Sequence, residues 1–240
     1  NRIIDLEKRK NSYLINLSHE LRTPLNVIYS TEQLIKELNK NEEGIGREKL
    51  DHYMSIIKNN TKRLLKIIND LIDSSKIEHG SYNINIEEID IVYVVEEAAL
   101  SMKEYIGAKD IELIVDPEIE EKIIEADKSE IERCIVNIVG NAYKFTEPGG
   151  VIKVVIIDLG DSVRIEISDT GIGIDKKYHD LIFNRFNQVI DPSSEVKKGS
   201  GLGLTITKKI IDLHNGDIYV KSIPGQGSKF IIVLPVKQER

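Results

Sequence analysis

Apolar residues recur along this chain with two different periods. In the first third, Leu14, Leu21, Ile28 and Ile35 lie seven residues apart, with Leu17 and Leu25 in flanking positions. The spacing predicts one long helix over residues 5–38 with an apolar seam. Leu50, Ile57, Leu64 and Leu71 repeat the pattern and predict a second helix over 48–76. The polar, glycine-bearing stretch NKNEEGIG, residues 39–46, supplies the turn between them. Two antiparallel helices bury only part of such a seam. Pairing two copies into a four-helix bundle completes the burial, so a homodimer is expected.

Beyond SSKIEHGSY, residues 74–82, the period shortens to two. YNINIE, IELIVD, VIKVVIID, VRIEISD, DIYVKS and KFIIVLP read as strands, with helices over 91–106 and from about Leu202 to His214. DKSE, Asp127 to Glu130, is a capping box that starts a further helix running through Lys144. The order predicts an α+β chain: a helical hairpin, then an α/β sandwich with a mixed sheet under a helical layer. The expected boundaries are residues 1–76 for the hairpin, 77–86 for a linker and 87–240 for the sandwich.

Composition narrows the functional classes. Hydrophobic residues make up 40% of the 240, enough for two cores, and the single Cys134 excludes an internal disulfide framework. The sequence contains no apolar run long enough to span a bilayer, so membrane attachment is expected only through segments upstream of this stretch. Residues 1–80 carry 14 basic and 12 acidic side chains, whereas residues 81–240 carry 19 and 28, a net −9. Nucleic-acid binding rests on neutralising many phosphates and is not expected from such a domain. An anion bound there needs a local site and a metal.

Four stretches carry candidate chemistry. In NLSHELRTPL, with Leu14 and Leu21 as successive seam positions, His19 falls on the outermost face, beside Glu20 and with Arg22 and Thr23 one turn on. Pro24 removes a backbone hydrogen bond to the Glu20 carbonyl and bends the helix there. The arrangement suits either a solvated surface histidine or an imidazole displayed for chemistry. In NIVGNAYKF, Asn137, Asn141 and Lys144 share one helix face, two hard amide oxygens and an ammonium, which fits Mg2+ with phosphate or simply a polar surface. DTGIGI follows a strand with Asp169 at its end, either a turn cap or an acceptor for the exocyclic amine of adenine. GSGLGL runs into a helix, where backbone N–H groups favour anions. Between these glycine runs, Phe183 and Phe186 precede a polar, proline-bearing stretch that reads as a lid.

In series, SHELRTPL, NIVGNAYKF, DTGIGI with FNRF, and GSGLGL strongly resemble the boxes of the sensor histidine kinases of two-component systems. The resemblance runs from His19 to about Pro235. It implies a dimeric four-helix bundle followed by an ATP-binding sandwich of the histidine kinase, gyrase and chaperone type. On it, His19 is the phospho-acceptor, Glu20 orients the ring and takes its proton, and Thr23 helps place water for dephosphorylating a partner regulator. Asn141 and Asn137 are implied as Mg2+ ligands, and Lys144 as a phosphate contact. Asp169 would read adenine, with Gly171 and Gly173 forming its loop. Phe183 and Phe186 would belong to the lid, and Gly199, Gly201 and Gly203 would anchor its phosphate side. ATP and Mg2+ are the implied cofactors, and a response-regulator receiver domain the implied partner. The implied setting is the cytoplasmic portion of a membrane-anchored protein. Two alternatives stand beside this: an ATP-hydrolysing clamp of the gyrase and chaperone kind, and a non-catalytic dimerisation scaffold. The hydrolysing relatives carry a glutamate where this chain has Asn137, which favours transfer.

Overall fold

The two heptad rows fold as α1 (Arg2–Leu38) and α2 (Arg47–Glu78) in a computed structural model that describes residues 2–40, 45–184 and 201–238, the side chains of 2–13 and of Asn16 excepted. The two helices pack along each other. Their buried row is offset from the one expected: Leu17, Pro24 and Thr31 are buried on α1, while Leu14 is 47% exposed and Leu21, Ile28 and Ile35 are half-buried. Two rows of a helix cannot both face one neighbour, and the more complete burial goes to the row containing Pro24. On α2, Ile67, Asp70 and Ser74 are buried, and Leu65, Ile68, Leu71 and Ile72 remain exposed. The helix ends where His79 N–H donates to the Ser75 carbonyl and Gly80 adopts a φ of +64°. After Gly80 the chain divides into a second compact unit. No described helix is long and apolar enough to cross a membrane.

The second unit alternates strands and helices. β1 (Glu87–Asp90) pairs antiparallel with β3 (Ile123–Ala126) in a small separate sheet. Strand β2 (Glu112–Val115) opens a five-stranded sheet with β4 (Val151–Asp158), β5 (Ser162–Asp169), β6 (Asp217–Ser222) and β7 (Ser228–Pro235), in the order β2-β4-β5-β7-β6. The β2-β4 pair is parallel and the rest antiparallel, so the sheet is mixed as expected. One face presents Ile152, Val154, Ile156, Val163, Ile165, Ile167, Phe230, Ile232 and Leu234, all buried. Over it lie α3 (Ile91–Leu100), α5 (Lys128–Phe145) and α6 (Gly203–Leu213), with the short α4 (Lys103–Gly107) between α3 and β2. Each fully buried isoleucine contributes about 1.5–3 kcal/mol, so this layer is the main source of the unit's stability.

Two expected elements differ. YNINIE is not a strand: the Asn85 N–H donates to Asp127 Oδ2 at 2.7 Å, so a group needed for a ladder is spent on the cap of α5. The helix expected over 91–106 breaks after Leu100, where the Ser101 hydroxyl bonds the Ala98 carbonyl at 2.7 Å and competes with the helical pattern. Strand β3, IIEA, was too short to show an alternation.

Candidate active site

On the helical unit, α1 passes through SHELRTPL without interruption. His19 is exposed and Glu20 half-buried. The Thr23 hydroxyl donates to the His19 carbonyl at 3.0 Å, one turn back, and Ser18 does the same to Leu14 at 2.8 Å. These back-bonds hold the turn on either side of the imidazole while Pro24 withholds its own donor from the Glu20 carbonyl. The ring is therefore displayed to solvent from a helix segment whose backbone is locally pinned by hydroxyls.

On the α/β unit, α5 is fixed at both ends. Asp127 is its N-cap, accepting from Glu130 N–H at 3.2 Å and from the Ser129 hydroxyl at 2.8 Å, in addition to Asn85. The Asp127 N–H donates to Nε2 of His214 at 2.9 Å, and the other ring nitrogen bonds the Ile210 carbonyl at 2.7 Å. This pair of bonds fixes the tautomer: Nδ1 carries the proton and Nε2 accepts. At the other end, Lys109 Nζ donates to the carbonyls of Thr146 at 2.6 Å and Tyr143 at 3.2 Å, a cation on the negative end of the helix. Ile131, Cys134, Ile135, Ile138, Val139 and Ala142 face the core. Asn137, Asn141 and Lys144 lie off that face, all half-buried. Burial pushes the Cys134 thiol far up, which keeps it protonated and makes it core filler.

Asp169 ends β5 and is 8% exposed. Its Oδ1 accepts from the N–H of Gly171 at 2.8 Å and of Ser228 at 3.3 Å. Burial raises its carboxyl above the ordinary value, against the pull of those two donors. Both bonds fall on one oxygen, so Oδ2 is the atom left to meet a ligand. The following loop rests on the end of α5, with Gly171 against the Phe145 carbonyl and Ile172 N–H donating to it at 3.3 Å.

The other wall of that loop was missed in the sequence. The turn between β6 and β7, IPGQG, buttresses it: Gly225 N–H donates to the Ile172 carbonyl at 2.7 Å, Ile174 N–H donates to the Ser222 hydroxyl at 2.7 Å, and Gly173 packs on the Ile223 backbone. Gly227 has a φ of +85°, and a Cβ there would collide with the Asp169 carbonyl, so no other residue fits. The signal was a second glycine pair, PGQG, in a hairpin turn that reads as an ordinary connection until its neighbour is known.

Of the remaining candidates, Phe183 ends a 3-10 turn, Leu181–Phe183, and packs edge-on against Phe230 at 6.3 Å between ring centroids. Gly201 has a φ of +68°, and Gly203 begins α6. Phe186 and Gly199 lie outside the described residues. Lys144 Nζ sits 4.8 Å from the Phe145 ring centroid.

With an outward imidazole on a helical hairpin and a buried carboxylate at a glycine-bounded strand end, two family models match in series. Residues 9–80 match the His Kinase A (phospho-acceptor) domain, and residues 126–238 match the histidine kinase-, DNA gyrase B-, and HSP90-like ATPase. The chain belongs to the histidine kinases. It is 35% identical over 235 residues to the Non-motile and phage-resistance protein of Caulobacter vibrioides, covering 96% of this chain and 27% of that protein. It is 34% identical to Hybrid signal transduction histidine kinase D of Dictyostelium discoideum, covering 98% of this chain and 15% of the relative. A third relative is the Autoinducer 2 sensor kinase/phosphatase LuxQ of Vibrio parahaemolyticus, 33% identical over 94% of this chain and 26% of its own length. This histidine kinase chain thus spans less than a third of each of these relatives. Among solved structures, full-length ShkA in complex with AMPPNP matches with a TM-score of 0.69 and 26% identity, over 94% of this chain and 46% of that one.

Proposed function

We propose that this chain binds ATP in its α/β unit, transfers the γ-phosphoryl group to Nε2 of His19, and passes it on to an aspartate of a response-regulator receiver domain. The observation that carries the reading is the pairing of a solvent-displayed histidine within a phospho-acceptor domain and an ATPase-type domain that has an amide, Asn137, at the position where hydrolysing relatives carry a water-activating glutamate. An amide cannot serve as a carboxylate base, which favours transfer to His19 over steady hydrolysis.

The steps follow from the side chains. Asp169 Oδ2 accepts the exocyclic amine of adenine. Lys144 meets phosphate as a point charge. Among the described residues Asn141 makes no side-chain hydrogen bond, and no cluster of His, Cys, Asp and Glu could hold a metal. Asn141 would hold Mg2+, a hard cation suited to a neutral amide oxygen beside phosphate oxygens and water. When bound, Mg2+ would supply neutralisation of the charge that develops on the transferring phosphoryl group. The His19 Nε2 lone pair forms the N–P bond as the bond from Pγ to the bridging oxygen breaks and ADP leaves; Glu20 takes the Nδ1 proton. In the second transfer a receiver carboxylate oxygen forms the O–P bond as the N–P bond breaks, and the Nδ1 proton returns to the His19 ring from Glu20. Thr23 serves the return step, placing water for regulator dephosphorylation, as befits a chain whose relative LuxQ is named a sensor kinase/phosphatase.

The working form is a homodimer. Leu14, Leu25, Leu65, Ile68, Leu71 and Ile72 are exposed on the two helices, an apolar surface that a four-helix bundle would cover. We assign residues 1–76 to dimerisation and phosphotransfer and 87–240 to ATP binding. The chain at 77–86 connects them, with Tyr82 and Asn85 already held to α5 by Arg133 and Asp127. We place the chain on the cytoplasmic side of a longer, membrane-anchored sensor, where ATP and receiver proteins are found.

The test is incubation with γ-labelled ATP and Mg2+. Acid-labile, base-stable label is expected on the wild type and none on His19→Gln. Undiminished label on the variant refutes His19 as acceptor, steady phosphate release without label indicates the ATPase clamp, and an absence of nucleotide binding indicates a scaffold.

A further inference from the structure

One side chain of the nucleotide face is committed elsewhere. Asn137 Nδ2 donates to Oγ1 of Thr207 at 2.9 Å, across the packing of α5 on α6. Thr207 is buried. With Nδ2 so engaged, Oδ1 turns toward the first residue of α6, where a Cβ on Gly203 would collide with the amide oxygen. The amide plane therefore fills the space that any side chain at 203 would need. Asn141, one turn further along α5, has no such engagement.

We propose that Asn137 is a positioning residue that locks the first two turns of α6 to α5, and that Gly203 is glycine to admit this amide rather than to approach a phosphate. The proposal rests on the nucleotide-site reading above. Asn141 and Lys144 stand on α5, whereas the glycine run that ends at Gly203 leads into α6. Asn137, one turn before Asn141, ties α5 to the first turns of α6 through Thr207 and Gly203, and so sets how the α5 side chains face the start of α6. Mg2+ demands near-octahedral ligands at about 2.0–2.1 Å. An amide oxygen lying against the α6 backbone, with its nitrogen held, is poorly placed to supply one. Loss of the tie therefore lowers the rate of transfer from bound ATP and leaves the metal requirement unchanged.

Four variants in the full chain separate the alternatives: Asn137→Ala, Thr207→Val, Thr207→Ser and Gly203→Ala, with the double variant Asn137→Ala/Gly203→Ala. Single-turnover labelling of His19 and nucleotide binding at graded Mg2+ are measured for each, with thermal melting to identify any that fail to fold. Asn137→Ala and Thr207→Val are expected to slow labelling by about tenfold each and not additively, Thr207→Ser to recover it, and the Mg2+ midpoint for binding to stay within about twofold of wild type. Gly203→Ala is expected to be the most impaired, and removal of the Asn137 amide to restore part of its labelling. A tenfold weaker Mg2+ midpoint in Asn137→Ala makes the residue a metal ligand and overturns the proposal. So does a Gly203→Ala defect that the second substitution leaves untouched. Should Asn137→Ala melt early, the Thr207 pair alone decides: equal rates in Thr207→Val and wild type overturn the proposal. Wild type that binds ATP without labelling His19 refutes the kinase reading instead, and the Mg2+ midpoints and the Gly203 compensation in binding still judge the tie.

Discussion

Replacing Asp169 by Asn separates the proposed recognition of adenine from stability, because a different carboxylate oxygen would serve each. Oδ1 accepts from the backbone at Gly171 and Ser228, and an asparagine oxygen keeps both bonds. Oδ2 becomes an NH2 group, which faces the adenine amine donor to donor. The lost bond is one to a charged acceptor, about 1.5–3 kcal/mol, or about 13- to 160-fold in ATP affinity. Calorimetric titration of ATP into both proteins measures it. Stability moves the other way. Burial raises the carboxyl of Asp169, so the folded state favours the neutral form. A group with a raised folded value contributes its stability fully below the unfolded carboxylate pKa, and that contribution is lost as pH rises through the folded value. At neutral pH, then, the charge costs stability and Asp169→Asn melts no lower than wild type, the two converging on acidification. ATP affinity of the wild type falls as pH drops through that raised value, while the variant stays flat and weak. Affinity within twofold of wild type refutes the adenine assignment. Weak binding accompanied by a lower melting temperature assigns Asp169 a purely structural role.

Two further predictions test the frame. Asp127→Ala removes a helix cap and is expected to cost about 0.5–2 kcal/mol, or about 2–8 °C in melting for a unit of this size. Burial pushes this carboxyl up, but bonds from Asn85, Ser129 and Glu130 together hold it below the ordinary value. The wild-type advantage is therefore present above the unfolded value of about 3.9 and disappears as pH falls through the folded one; a difference unchanged from pH 7 to 2 would sink this account. Placing glutamates at Ile68 and Leu71 is expected to give a monomer by sedimentation with ATP binding intact, and a persistent dimer would put the interface elsewhere.

The sequence was most legible where one residue acts through its own neighbours in the chain. The two long helices, the Asp127 N-cap of α5 and the alternation of β4, β5 and β7 all depend on local spacing and all form, although the buried row of α1 is offset and the Asp127 N–H of the expected capping box goes to His214. What it hid depends on partners far along the chain. YNINIE alternates well, yet Asn85 N–H goes to an acid 42 residues on. Nothing near His214 in the chain marks its role, since its acceptor bond from Asp127 spans 87 residues. The Asp169 loop was visible as DTGIGI, but its second wall, from Ser222 to Ser228, comes from a turn with no chemistry of its own. Asn137 and Asn141 look equivalent at i and i+4, and only the packing of α6 distinguishes them.

The two units also solve the burial problem differently, and this determines how the activity divides. In the α/β unit one sheet face is fully covered by α3, α5 and α6, and the walls of the Asp169 loop come from that unit alone. On the proposed reading, its adenine end needs no partner to be formed. The hairpin, by contrast, leaves many large apolar side chains of α1 and α2 exposed to water, Leu14, Leu25, Leu65, Ile68, Leu71 and Ile72 among them, and buries few. Each such side chain, if covered, gains about 1.5–3 kcal/mol, so the drive for two copies to associate resides in the helices that carry His19. Acceptor display is then the concentration-dependent part of the molecule and nucleotide capture the independent part. Dilution below the dimer threshold should abolish labelling at ATP levels where the nucleotide remains bound.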